Sequence, residues 1–283
     1  MEFEKSQTIA SKLVWIEETG STNSDLIAAA TTGGVENWPD FSVYVAGYQN
    51  AGRGRSGRQW LAPAGSSLFV SVLLRPSAAI ETLGWLPLLA GLAMSKAVAG
   101  RLGDSGQLAE VAQNAGRVGV KWPNDVLVAE QKISGVLSEL LPDLSGVVVG
   151  AGLNLTLTRE QLPVETATSL ALLGDPAAAA HSGGAIDAET LDDLLSRYLS
   201  ALRELNNDFN AYGGDAALAG LQTQVSLGCV TLGQEVRVIL PSEQELWGTA
   251  QAIDAQGRLV VQTIDNQKIA VAAGDIVHLR HRP

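Results

Sequence analysis

Cysteine is nearly missing from this chain: Cys229 is the only one among 283 residues. One thiol cannot form an internal disulfide or a cysteine-ligated metal site, which points to a reducing compartment. Histidine is scarce too, and His181, His278 and His281 do not form a metal-binding constellation. Basic charge is in deficit, with 19 Lys and Arg against 30 Asp and Glu and a formal net charge of -11. That balance argues against general attraction to nucleic acid or to an anionic membrane. Apolar runs are broken by Gly, Pro or Ser before the ~18 residues that a membrane helix needs. The opening MEFEKSQTIA lacks a basic segment followed by an apolar run, so no secretory leader is expected. There is no internal repeat, no low-complexity tract and no Walker phosphate loop. These absences read as a soluble cytoplasmic protein.

What is present is apolar: 46% of the residues, enough for a sizeable core. KLVWIEE (12–18), SVYVAGYQ (42–49) and SLFVSVLL (67–74) have the β-branched and aromatic content of strands. A helix is expected after Ser21 or Thr22, either of which can cap it, with Asp25 in the first turn. Residues 81–102 read as a largely apolar helix that Pro87 bends. Residues 103–116, small and polar, read as a surface excursion. RVGVKW, VLVAEQKISGVLSEL and GVVVGAGLNL follow as strands with tight connections. Leu191, Leu194, Leu195, Tyr198, Leu199, Leu202 and Leu205 recur at three and four residues, the pattern of an amphipathic helix lying on a sheet. After Leu221 five short strands with turn residues between them suggest a small β-barrel. The expected architecture is an α/β domain over residues 1–222 with a barrel over 223–283.

One segment concentrates the missing basic charge. AGRGRSGRQW (51–60) carries Arg53, Arg55 and Arg58 on a stretch too glycine-rich to be a helix. Glycine lets backbone N–H groups approach a ligand closely. Arginine offers a planar fork of donors for carboxylate or phosphate. Trp60 adds a flat face for a ring. A small anionic ligand is the favoured reading, and a flexible solvated loop is the bland one. Downstream, KWPNDV holds Lys121, Asn124 and Asp125, and QKISGVL holds Lys132 and Gly135. Each alone reads as a hairpin turn with exposed lysines. Together they suit a nucleoside triphosphate and a metal ion. GAGLNL (150–155) matches half of a dinucleotide fingerprint, a weak signal alone.

STN (21–23), GRGRSGRQW (52–60), KWPNDV (121–126), KISGVL (132–137) and GAGLNL occur in that order, and the set resembles biotin–protein ligases, also called holocarboxylase synthetases. The resemblance spans nearly the whole chain, to GDIVHLR. It implies a mixed sheet with flanking helices, akin to class II aminoacyl-tRNA synthetases and lipoate ligases, and an SH3-like C-terminal barrel. It implies two steps: biotin and MgATP give biotinyl-5′-AMP, then a lysine of a biotin carboxyl carrier domain takes the biotinyl group. Ser21, Thr22, Asn23 and Gln49 are then expected around the ureido ring. The backbone of Arg53, Gly54 and Arg55 closes over it, and Lys132 with Gly135 lies near the carboxylate. Arg55, Arg58 and Lys121 would stabilise the phosphates. Trp60 would pack on adenine, Asn124 and Asn154 would surround the nucleotide, and Arg280 would reach it from the barrel. Asp125 is expected to orient Lys121 or Mg²⁺. The loop 52–60 is expected to be open or disordered without ligand. Only twenty residues precede Ser21, too few for a DNA-binding domain, so the expectation is a ligase without repressor function, as monomer or homodimer. A lipoate ligase or a non-catalytic biotin or nucleotide sensor are the rival readings.

Overall fold

The computed structural model describes residues 1–109 and 117–279. The chain begins with α1 (Glu4–Gln7), β1 (Lys12–Thr19), α2 (Thr22–Asn37), β2 (Ser42–Gln49), β3 (Ser67–Leu74) and α3 (Leu86–Asp104). Next come β4 (Val118–Lys121), β5 (Asp125–Val128), β6 (Gln131–Leu140) and β7 (Val147–Asn154). Helices α4 (Pro176–Ala180), α5 (Ala188–Ala211) and α6 (Leu221–Gly228) follow. Five strands close the chain: β8 (Glu235–Ile239), β9 (Glu245–Ile253), β10 (Leu259–Gln262), β11 (Lys268–Val271) and β12 (Asp275–His278).

Strands β1 to β7 form one sheet in the order β1-β2-β3-β7-β6-β5-β4. Only β1 and β2 run parallel; every other neighbouring pair is antiparallel. The sheet is therefore mixed, with a helical crossover, α2, where the parallel pair requires one. Helix α2 covers one face through Leu26 and Ala30, which meet Leu73, Leu141 and Val148. Helix α3 covers the other, and α5 packs on α3 and α1 instead of lying directly on the sheet as expected. The seven apolar residues expected on one stripe of α5 are all buried there. Each fully buried leucine of that stripe contributes about 1.5–3 kcal/mol. The second sheet is antiparallel, in the order β11-β10-β9-β8-β12.

Several local expectations change. Residues 80–85 form a 3₁₀ turn and α3 starts at Leu86, so Pro87 stands in the first turn instead of bending a longer helix. That position costs proline nothing, because first-turn N–H groups have no helical partner. The stretch Ile80–Asp104 is long and apolar enough to cross a membrane, yet most of it is buried inside the fold, as a core helix is. The cap of α2 comes from another strand. Ser21 occupies the cap position without a side-chain capping bond. Instead Oε1 of Gln49 accepts the Thr22 N–H at 2.7 Å and the Thr22 hydroxyl at 3.0 Å. VLVAEQKISGVLSEL is a hairpin, β5 and β6, turning at Ala129 and Glu130, both with positive φ. The expected excursion at 103–116 begins inside α3, and its residues 110–116 lie outside the described part. The expected division at 222/223 falls within α6, and the second sheet starts at Glu235.

Candidate functional site

Strand register builds the site. Side chains alternate along a strand, so residues two apart share a face. Pairing aligns Phe69, Gly152, Gly135, Asp125 and Lys121 as one row across β3, β7, β6, β5 and β4. The next row is Ser71, Gly150 and Leu137, and the third is Leu73, Val148 and Glu139. Leu73 and Val148 pack beneath α2. One row on, glycine replaces valine and the face drops away. The GAGLNL segment is thus a sheet floor and not a dinucleotide loop. A Cβ on Gly150 would collide with Asn23, and one on Gly152 with the indole of Trp60.

A cavity of about 400 Å³ stands over this floor, within the range that holds small ligands. At one end the N-terminus of α2 brings Ser21, Thr22 and Asn23, with Gln49 beside them. All four are buried and uncharged. Ser71, which sequence reasoning missed, ties them together: its hydroxyl lies 2.8 Å from Thr22 Oγ1 and 2.6 Å from Asn23 Oδ1.

The other end is cationic. Lys132 Nζ pairs with Asp125 at 2.7 Å, and lies 5.4 Å from the centre of the Trp60 ring. Arg55 donates to Asn124 Oδ1 at 3.0 Å, and Asn124 donates in turn to the Val136 carbonyl at 2.7 Å. Burial pushes the Arg55 guanidinium below its ordinary range, opposed by Asp125 and reinforced by Arg58. Burial likewise lowers the Lys121 ammonium; Asp125 opposes this, while Lys132 and Arg58 add to it. Three cations, Arg55, Lys121 and Lys132, therefore share one carboxylate, Asp125. Such a surplus in a half-buried site favours an incoming anion.

The arginine loop is folded over this end, where an open segment was expected. Arg53 and Gln59 form a bridge, and Arg55–Gly57 makes one 3₁₀ turn with Ser56 at positive φ. Arg58 is ion-paired with Asp275 of β12, so the second sheet reaches the cavity mouth, where Ile239, Asp275, Ile276 and Val277 also line it. Arg53 makes a two-pronged contact with Glu139, at 2.9 and 2.7 Å.

Of the residues singled out from sequence, Ser21, Thr22, Asn23, Gln49, Arg53, Gly54, Arg55, Arg58, Trp60, Lys121, Asn124, Asp125, Lys132 and Gly135 all line the one cavity. Asn154 does not: its amide donates to the Thr168 carbonyl at 2.9 Å and braces the following loop. Arg280 and His281 lie outside the described residues. Asp125 contacts Lys132 in place of the expected Lys121. Among the described residues no three His, Cys, Asp or Glu converge as a metal cage. Two carboxylates line the cavity, Asp125 paired with Lys132 and Asp275 paired with Arg58, and so few suit an ion carried on nucleotide phosphates better than a resident one.

A glycine-floored cavity with a neutral polar end, a cationic end and an arginine lid is the design of an enzyme that joins a small carboxylic acid to a nucleotide, and the chain belongs to the biotin protein ligase family. Residues 16–154 match the biotin/lipoate A/B protein ligase family and residues 231–279 the biotin protein ligase C-terminal domain. The chain is 36% identical to biotin--[acetyl-CoA-carboxylase] ligase of Mycobacterium tuberculosis, over 94% of this chain and 88% of that protein. It is 32% identical to the bifunctional ligase/repressor BirA of Escherichia coli, over 77% of this chain and 60% of that one. The biotin protein ligase of Aquifex aeolicus, solved in complex with biotin and ATP, superposes with a TM-score of 0.65 at 26% identity, over 95% of this chain and all of that chain.

Proposed function

We propose that this chain is a biotin–[biotin carboxyl carrier protein] ligase, acting in the cytoplasm. The first sheet and its helices form the working site, and the small sheet of β8 to β12 (residues 235–278) latches its lid. The observation that carries the reading is one continuous floor joining a neutral, hydrogen-bonding end to a cationic end. Biotin offers that same polarity: a neutral ureido ring at one end, a carboxylate at the other.

The chemistry divides accordingly. Ser21, Thr22, Asn23 and Gln49 bind the ring in a desolvated pocket where paired donors and acceptors are required. Lys132 holds the carboxylate and turns one oxygen toward the α-phosphorus of ATP. A new C–O–P link forms as the bond to the β-phosphate oxygen breaks, and pyrophosphate leaves. Arg55 and Lys121 stabilise the charge that develops on the phosphates. Trp60, lying on Gly152 and Gly135, offers its free face to the adenine. Asp125 is the carboxylate that would hold a Mg²⁺ ion on the triphosphate, where the ion would neutralise charge. In the second step the neutral amine of a carrier-domain lysine attacks the acyl carbon. AMP departs and the amine loses a proton. The acyl adenylate is prone to hydrolysis, so a lid that excludes water serves both steps.

Biotin-dependent exchange of labelled pyrophosphate into ATP tests the first step without any carrier. Exchange with biotin and none with lipoate is expected. Exchange with lipoate alone moves the chain to the lipoate branch, and biotin binding without exchange makes it a sensor.

A further inference from the structure

Beside the cavity, in a groove under the arginine loop, lies a charged group that the mechanism above does not use. Glu139 sits in the third row of the sheet face, beside Val148 and two residues from Leu137. Its side chain is 26% exposed. A carboxylate in such a place requires donors, and three N–H groups supply them. Two come from Arg53, at 2.9 and 2.7 Å. The third is Nδ2 of Asn23, 2.8 Å from Oε2.

We propose that Glu139 is a positioning residue that fixes which way Asn23 faces and clasps the arginine lid at the same point. The argument is an accounting of donors. An asparagine amide can flip, exchanging its acceptor and its two donors. An ionised carboxylate only accepts, so the NH₂ group must face Glu139. Its second hydrogen goes to the Leu137 carbonyl at 3.1 Å. Oδ1 then points the other way, over Gly150, taking one bond from Ser71 Oγ at 2.6 Å. One lone pair remains, aimed at the neutral end of the cavity. Asn23 therefore offers an acceptor, the complement of a ligand N–H. Ser71 Oγ also lies 2.8 Å from Thr22 Oγ1. The Arg53 guanidinium is neutralised by protein, so it is a lid fastener and not a phosphate ligand.

This deepens the biotin reading and rests on it for its kinetic arm. Glu139→Gln keeps the shape but can donate as well as accept, which releases the amide of Asn23 and weakens the clasp. In pyrophosphate exchange, Glu139→Gln and Arg53→Ala are each expected to raise the biotin KM about tenfold, the scale of a lost charge-assisted hydrogen bond. The double variant should be no worse than the poorer single one, because both break the same link. The ATP KM should move less than about twofold, as neither variant removes a phosphate partner. Singles that multiply in the double, a rise confined to the ATP KM, or a fall in kcat with the biotin KM unmoved would overturn the proposal. A second arm needs no substrate. Trypsin should cut after Arg55 and Arg58 about tenfold faster in Glu139→Gln at an unchanged melting temperature, reporting lid opening. An unchanged cleavage rate also overturns the clasp. Should Glu139→Gln not fold, Glu139→Asp replaces it in both arms with the same expected directions. Absence of biotin-dependent exchange in the unaltered protein would sink the functional reading, while the trypsin arm still decides the clasp.

Discussion

The lid at Gly52–Trp60 and the floor on β6 and β7 enclose the same cavity by opposite means. The lid uses added chemistry: three arginines, each held by a protein acceptor, namely Glu139, Asn124 and Asp275. The floor uses missing chemistry: Gly135, Gly150 and Gly152, where a single carbon would strike Trp60, Lys132 or Asn23. Contacts of the lid are individually weak and replaceable, since its outer pair, Arg58 with Asp275, is exposed on both sides. The floor tolerates no addition. A mobile part can be fastened by several modest bonds, whereas a floor on which Trp60, Lys132 and Asn23 lie this closely must be flat.

Substitutions that remove charge and substitutions that add volume separate the two. Lys132→Ala should have the largest effect, lowering kcat/KM for exchange by about 10²–10³, the cost of losing a charged group aimed at developing charge. It also leaves Asp125 without its 2.7 Å partner. A loss below tenfold in steady-state kinetics would transfer that role to Lys121. Gly152→Val comes next, about 10²-fold, with a cost of about 1–3 kcal/mol in stability from overpacking. Near-normal biotin binding by calorimetry in that variant would show that the floor is not the seat. Asp275→Asn should raise the ATP KM about threefold or less, because an exposed ion pair contributes about 0–1 kcal/mol. A much larger rise would make the small sheet part of the nucleotide site in its own right.

A further effect, on stability and not on turnover, is expected from pH. His278 is pushed down to about 4, first by burial and then by the Lys121 charge. Its Nε2 lies 3.2 Å from Thr231 Oγ1. A histidine lowered on folding is neutral in the native protein, so between about pH 6.5 and 4 the unfolded chain binds more protons and stability falls as pH falls. The loss should be about 1–2 kcal/mol after screening of the partly exposed ring. Thermal melting against pH should show it, and His278→Asn should flatten it.

The lid was legible because charge on a glycine-rich segment has few structural explanations. The same holds for Lys121 and Lys132, which stand beside the β4–β5 and β5–β6 turns. The partner of Asp125 was not legible, since it depends on register: a bulge between Val126 and Leu127 shifts the pairing that carries Lys132. Glu139 escaped because an acid near the end of a strand reads as solvent-facing, and only the three-strand alignment turns it inward. The Ala129–Glu130 turn carries neither Gly nor Asn, so the hairpin gave no turn signal. Ser21 and Thr22 were correctly placed at a helix start, yet no local rule reveals a cap supplied by Gln49 from β2. Asn154 shows the converse, a motif residue whose amide serves the adjoining loop.

Trp122, next to the site lysine, is turned away from solvent between the two sheets. Its indole N–H donates to the Gly257 carbonyl at 3.0 Å and its backbone N–H to Thr231 Oγ1 at 3.0 Å. The turn that presents Lys121 and Asn124 is therefore seated partly by residues more than a hundred positions away. In a chimaera that borrows its small sheet from a relative, the seam must be transplanted with it: the carbonyl under the indole and the hydroxyl under the amide. Without them the graft can fold and still present its lysine in the wrong place.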